Sequence, residues 1–136
     1  MESRIADCAA LHNKGYNCAQ AVACAYADLV GADKRTLFAA TEGLGLGMGG
    51  MEGTCGALSG VCVICGLAKS GADLEHPTTK KDTYKISREV VARFSEASGA
   101  TRCRDLKGVD TGEVLCSCPK CIENAARILE EVVFTD

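Results

Sequence analysis

Residues 80–97, Lys-Lys-Asp-Thr-Tyr-Lys-Ile-Ser-Arg-Glu-Val-Val-Ala-Arg-Phe-Ser-Glu-Ala, decide the fold class. Tyr84, Val90, Val91 and Phe94 are interleaved with Lys85, Arg88, Glu89, Arg93 and Glu96 at helical rather than alternating spacing. Gly99 follows as a helix-stop signal. Toward the C-terminus, Pro119 suits the first turn of another helix, which runs through Ile122, Ala125, Ala126, Ile128, Leu129 and Val132.

Toward the N-terminus the same period recurs. Thr54 reads as the N-cap of a helix from Cys55 to about Lys69, in which Gly56 and Gly60 let a second backbone come close. Asp33 opens a short helix through Thr36 and Leu37 to Ala40. Asn17, with Gln20 three residues on, forms a capping box for a helix through Ala21, Val22, Ala23, Ala25 and Leu29 to Gly31. Residues 3–13 place Ile5, Cys8, Ala9 and Leu11 or His12 near one face, and Gly15 ends that run. No strand pattern competes. The expectation is an all-α bundle of about five to six helices with a Gly-rich loop, forming a single helical domain over residues 1–136.

Composition agrees. Apolar residues make up 47% of the 136 residues, enough for a real core, yet aromatics are only 4% and Trp is absent. The core must therefore be built from small and aliphatic side chains, which favours closely packed helices. A net charge of −3 with scattered basic residues predicts no nucleic-acid partner. The N-terminus lacks a signal-peptide pattern, and the apolar stretch Ala57–Ala68 is too short and too interrupted to insert in a membrane. A cytoplasmic location is the expectation.

In that reducing compartment ten cysteines point to metal ligation or redox chemistry rather than to a disulfide framework. Cys18 and Cys55 each follow a helix cap, and Cys121 lies in the turn opened by Pro119. A helix N-terminus stabilises an anion, so these thiols are placed to ionise. Cys103 is flanked by Arg102 and Arg104. Residues 43–53 are the most glycine-dense segment. Their backbone, with Gly49, Gly50, Gly53 and Gly56, is suited to approach a bulky anionic group and aim N–H donors at it. Gly45, Gly47 and Gly50 satisfy a G-x-G-x-x-G count, but no strand precedes them and the dinucleotide reading fails its context.

Cys62 and Cys65 form a C-x-x-C inside an apolar helix and, with Cys55, fall on a common side; they read as small residues filling a helix contact. Cys116-Ser-Cys118-Pro-Lys-Cys121 contains a C-P-x-C. Glutaredoxin-like use of it needs a βαβ context, and structural zinc needs a matching second knuckle; neither is present. Cys116 and Cys118 are spare thiols beside the site or local disulfide partners for Cys121. His12 and His76 are isolated, and no hydrolytic triad or paired-carboxylate motif appears.

The order Asn17-Cys18-Ala19-Gln20, a Gly-rich loop, Cys55-Gly56-Ala57-Leu58-Ser59-Gly60, Cys103 and then Cys121 resembles the C_GCAxxG_C_C family of redox-active proteins. This chain carries the motif in its CGAxxG form. The resemblance spans roughly residues 10–130 and implies a helical domain with four characteristic cysteines. It extends to a domain of split-Soret cytochromes, which pairs haem with a non-haem iron centre. No C-x-x-C-H is present here, so haem is not expected.

The leading expectation is an electron-transfer protein in which Cys18, Cys55, Cys103 and Cys121 hold an iron–sulfur cluster of the [2Fe–2S] type. The alternative is a metal-free thiol–disulfide oxidoreductase or redox sensor, with Cys55 or Cys121 as the nucleophile. A third reading is an accessory or binding subunit with structural cysteines. The redox partner is unspecified, and a homodimer is left open.

Overall fold

A computed structural model describes residues 1–135. Seven helices carry the fold: α1 (Ile5–Lys14), α2 (Cys18–Ala25), α3 (Lys34–Glu42), α4 (Gly56–Lys69), α5 (Lys80–Ser98), α6 (Cys103–Lys107) and α7 (Cys118–Val132). Among the described residues no strand occurs beyond one isolated antiparallel bridge, Thr54 to Arg102. The all-α expectation holds.

The helix starts and stops follow local chemistry. Gly15, Gly31 and Gly99 close their segments in the left-handed conformation. The Asn17–Gln20 capping box forms with both arms: the Gln20 amide donates to Asn17 Oδ1 at 2.9 Å, and the Asn17 amide to Gln20 Oε1 at 3.0 Å. Asp33 caps α3, and Ser117 caps α7 with Pro119 in the first turn.

Helix α4 lies at the centre, packed on α2, α5 and α7. Its contact with α2 brings the two backbones close together. A Cβ at Gly60 would stand 2.8 Å from the Ala19 carbonyl oxygen, and one at Gly56 would collide with Cys18 Sγ. Helix α2 is buried from Ala19 to Ala25, so alanine and glycine replace bulk with proximity. Around this pair Tyr26, Phe94, Leu58, Ile64, Ile122 and Leu129 fill the core.

Several boundaries differ from the sequence reading. Helix α2 stops at Ala25, and a 3₁₀ turn over Ala27–Val30 carries the chain to Gly31. Thr54 does not cap α4; it is held in the bridge to Arg102, and Cys55 itself is the N-cap residue. On α5 the buried stripe is Val90, Phe94 and Ser98, whereas Tyr84 and Val91 face solvent. Ala9 is exposed on α1. The short α6 had no apolar period to announce it.

Residues 45–49 form a turn of unusual hand. Leu46, Gly47, Met48 and Gly49 all have positive φ, at 53°, 56°, 63° and 91°. For Leu46 and Met48 that conformation costs roughly 1–2 kcal/mol each. Backbone bonds hold the segment: Gly49 N–H to Gly45 O at 3.0 Å, Met51 to Leu46 at 2.8 Å and Gly53 to Gly47 at 3.0 Å.

The α2–α4 contact sets opposite signs for two glycine substitutions in one helix. Gly66 has open space where a Cβ would go, so Gly66→Ala stabilises by roughly 0.5–1 kcal/mol through helix propensity. Gly60→Ala instead drives a methyl into the Ala19 backbone and destabilises by about 1–2 kcal/mol. Urea unfolding of both variants checks the pair.

Candidate functional site

Six cysteines line one cavity of about 180 Å³: Cys18, Cys55, Cys103, Cys116, Cys118 and Cys121. Four of them sit where a helix begins. Cys18 is the first residue of α2, Cys55 the N-cap of α4, Cys103 the first residue of α6 and Cys118 the first of α7. Cys121 follows in the first turn of α7, and Cys116 lies just ahead of the Ser117 cap.

The chain fixes each by backbone bonding. The Cys55 amide donates to Thr101 O at 2.8 Å, and the Cys103 amide to Gly53 O at 3.0 Å, so two segments distant in sequence are laced side by side. The Cys116 amide reaches Leu106 O at 3.2 Å and ties the loop before α7 to α6. The left-handed turn closes the remaining side. Gly47 lies against Cys103, where a Cβ would approach within 2.5 Å of Cys103 Cβ, and the Leu46 amide donates to Cys18 Sγ.

Of the glycines expected to approach a bound group, Gly56 lines the cavity. Gly53 packs on Met48 and Gly47 instead, while Gly49 and Gly50 face open space. The glycines that do come close on the loop are Gly45, against Asn17, and Gly47.

Ionisation is uneven around the cavity. Cys55 is lowered to about 7: it receives a hydrogen bond from the Cys121 thiol, burial opposes this, and the Ala57 and Leu58 amides at the start of α4 add to the stabilisation. Cys121 is pushed strongly upward, first because its proton serves Cys55 and then by burial. Burial also raises Cys18, against the Leu46 amide, and Cys103. Of the three thiols expected to ionise at helix starts, Cys55 alone is lowered; burial raises Cys18, and the hydrogen bond to Cys55 followed by burial raises Cys121.

The arginines beside Cys103 do not serve it. Arg102 pairs with Asp105 and Glu52, and Arg104 with Asp110 and Glu52. The cation at the cavity is Lys107, whose own pKa is raised by a hydrogen bond to Cys118 and by that sulfur's charge, with smaller contributions from Cys103 and Cys18. Among the described residues, no Asp or Glu lines the cavity, and His12 completes the wall.

All ten cysteines are free. Among the described residues, no three His, Cys, Asp or Glu side chains stand close enough together to hold a single metal ion. The sulfurs surround a volume rather than a point. Cys62 and Cys65 lie outside the cavity and meet Ser87 on α5, so they do not share the face of Cys55.

The structure places Cys18, Cys55, Cys103 and Cys121, the four singled out in the sequence, in the wall of one cavity. Cys116 and Cys118, read as thiols beside the site, stand in the same wall, which His12, Leu46 and Lys107 also line. The crowding of three cysteines within 116–121 was a signal for the first two; nothing local marks the others.

Fold and site together define a class: a small helical protein that gathers cysteines from separate helix starts around one buried cavity. A family model described as "Putative redox-active protein (C_GCAxxG_C_C)" matches residues 16–132, and the chain belongs to that family. The match takes in every cavity cysteine. No curated protein and no solved structure matches the chain. Among the described residues, no helix is long and apolar enough to cross a membrane.

The thiol pair has a pH signature. In the metal-free, reduced protein, alkylation of Cys55 by iodoacetamide rises with a midpoint near pH 7 and outpaces the other cavity thiols. Cys121→Ala removes the hydrogen bond that favours the Cys55 thiolate, so the midpoint moves upward. Peptide-resolved alkylation rates across pH 5.5–9.5 measure both.

Proposed function

We propose that this protein is an electron carrier whose redox centre is an iron–sulfur cluster held in the cysteine-lined cavity by Cys18, Cys55, Cys103 and Cys121. The observation that carries the reading is the gathering of thiols from four separate helix starts round one volume that, among the described residues, no carboxylate lines. A four-thiolate cluster is anionic and gains further negative charge on reduction. Such a group supplies one-electron transfer at a potential set by its surroundings.

The residues suit that charge. The Leu46 amide and the amides of Ala57 and Leu58 point at ligand sulfurs, and Lys107 faces the cavity without a carboxylate partner among the described residues. Amide donors and a nearby cation stabilise the more negative state and so raise the potential. Burial raises Cys18 and Cys103, and the hydrogen bond to Cys55 followed by burial raises Cys121, so loading the site releases protons. Leu46 and the left-handed turn form the lip, and their exposure gives electrons a short path to a partner.

One observation favours a second reading, a dithiol–disulfide couple. Cys55 and Cys121 share a thiol hydrogen bond, and Cys55 is the ionised member near neutral pH. That pair is a nucleophile and its partner in contact. Each reading places redox chemistry in the same cavity and differs in whether one or two electrons move.

Purification without oxygen, followed by iron, acid-labile sulfide and visible absorption measurements, separates them. Equimolar iron and sulfide that disappear together in Cys18→Ala and Cys103→Ala support the cluster. Colourless, iron-free protein with a reversible two-electron titration lost in Cys121→Ala leaves the dithiol reading. Protein with neither property rejects both.

A further inference from the structure

The Cys55–Cys121 contact is not the end of the chain of thiols. Cys121 Sγ is also within side-chain hydrogen-bond reach of Cys116 and lies 3.6 Å from the Cys116 carbonyl oxygen. Three buried sulfurs, from the start of α4, the first turn of α7 and the loop ahead of it, thus stand in a row. Cys121 is the middle one. Cys55 is 6% exposed, Cys121 2% and Cys116 7%.

The far end of the row has its own support. Asn124, 2% exposed, directs Nδ2 at Cys116 Sγ, at 3.8 Å, and at Ser98 Oγ, at 3.1 Å. Its orientation is fixed from the other side. Arg127 Nη2 donates to Asn124 Oδ1 at 2.6 Å, and a guanidinium can only donate, so the oxygen must face Arg127 and the amide hydrogens must face Ser98 and Cys116. A buried amide with both ends committed is an unusual expense for a spare thiol. It holds the Cys116 sulfur beside Cys121.

We infer that Cys116 is a third working thiol, which takes the disulfide over from Cys55 through Cys121. The inference rests on the dithiol reading above and concerns the cluster-free protein, the state in which all ten cysteines are free. With a low-molecular-weight disulfide such as oxidised glutathione as oxidant, the Cys55 and Cys121 thiols give up two protons and two electrons. They join as one disulfide, and two molecules of reduced glutathione leave. Cys116 then attacks Cys121 Sγ. The Cys116–Cys121 bond forms, the Cys55–Cys121 bond breaks, and the proton given up by Cys116 ends on Cys55. No electrons are gained or lost in this exchange. Its product frees Cys55, the thiol with the two amides of α4 aimed at it, for a second encounter while the oxidising equivalent is stored between Cys116 and Cys121.

Trypsin sites make the exchange readable. Cleavage after Lys107 and Lys120 places Cys116 and Cys118 on residues 108–120 and Cys121 on residues 121–127. The full chain carrying Cys118→Ser leaves Cys116 as the sole thiol on the first peptide. Freed of metal by a chelator, this protein is oxidised with oxidised glutathione, quenched in acid, alkylated and digested. The expected result is a 108–120 to 121–127 link, which becomes the dominant form when Cys55→Ser is added. With Cys116→Ser in its place, the link shifts wholly to the peptide containing Cys55. The inference is overturned if Cys116 stays alkylatable or only glutathionylated in the Cys55→Ser protein while the Cys116→Ser protein still links Cys55 to Cys121. Absence of any disulfide at Cys121 in all three proteins overturns the dithiol reading as well, which keeps the two failures distinct.

Discussion

Two backbones brought almost into contact determine where everything else in this protein goes. Gly60 rests on the Ala19 carbonyl and Gly56 on Cys18, so α2 and α4 meet with their starting residues at the same end. That approach places Cys18 and Cys55 at one cavity. It also leaves no room between the helices for the side chains that usually fill a core. The bulk is supplied from outside the pair by Tyr26, Phe94, Ile122 and Leu129. A wider α2–α4 spacing would gain little in packing and would separate the sulfurs.

The electrostatics of the cavity follow from the same closeness. Helix termini and amides favour thiolates, but six sulfurs in a small buried volume lose hydration together, and repulsion forbids all of them to ionise. The outcome is one preferred anion, Cys55, supported by a proton from Cys121, while burial raises Cys18 and Cys103. Lys107 is the balancing charge, since Arg102 and Arg104 are already occupied by Glu52, Asp105 and Asp110. The arginines adjacent to Cys103 in sequence thus brace the loop, while the working cation comes from a full helical turn later.

What could be read from the residues was what local rules govern. The Asn17–Gln20 box, the Gly99 stop, the Pro119 start and the close approach at Gly56 and Gly60 each depend on a few neighbouring positions, and each was legible in kind. Thr54 was misread as a cap because its role is set by Arg102, about a third of the chain away. Lys107 and His12 carry no local mark of a site, as their positions in the wall arise only when α1, α6 and α7 pack. The run of positive φ at 46–49 lay beyond composition too. Glycine richness argued against an ordinary helix, but the left-handed sense at Leu46 and Met48 is imposed by the segments that the turn must seal.

Because the cavity wall draws on the first turn of α2 and the first turn of α7, its assembly is late in the life of the chain. During synthesis the α2–α4 pair is available long before Cys116, Cys118 and Cys121 emerge, and domains are built from the N-terminal side as the chain grows. Without α7 the wall around Cys18 and Cys55 lacks Cys118 and Cys121, so the docking of that helix closes the cavity over them.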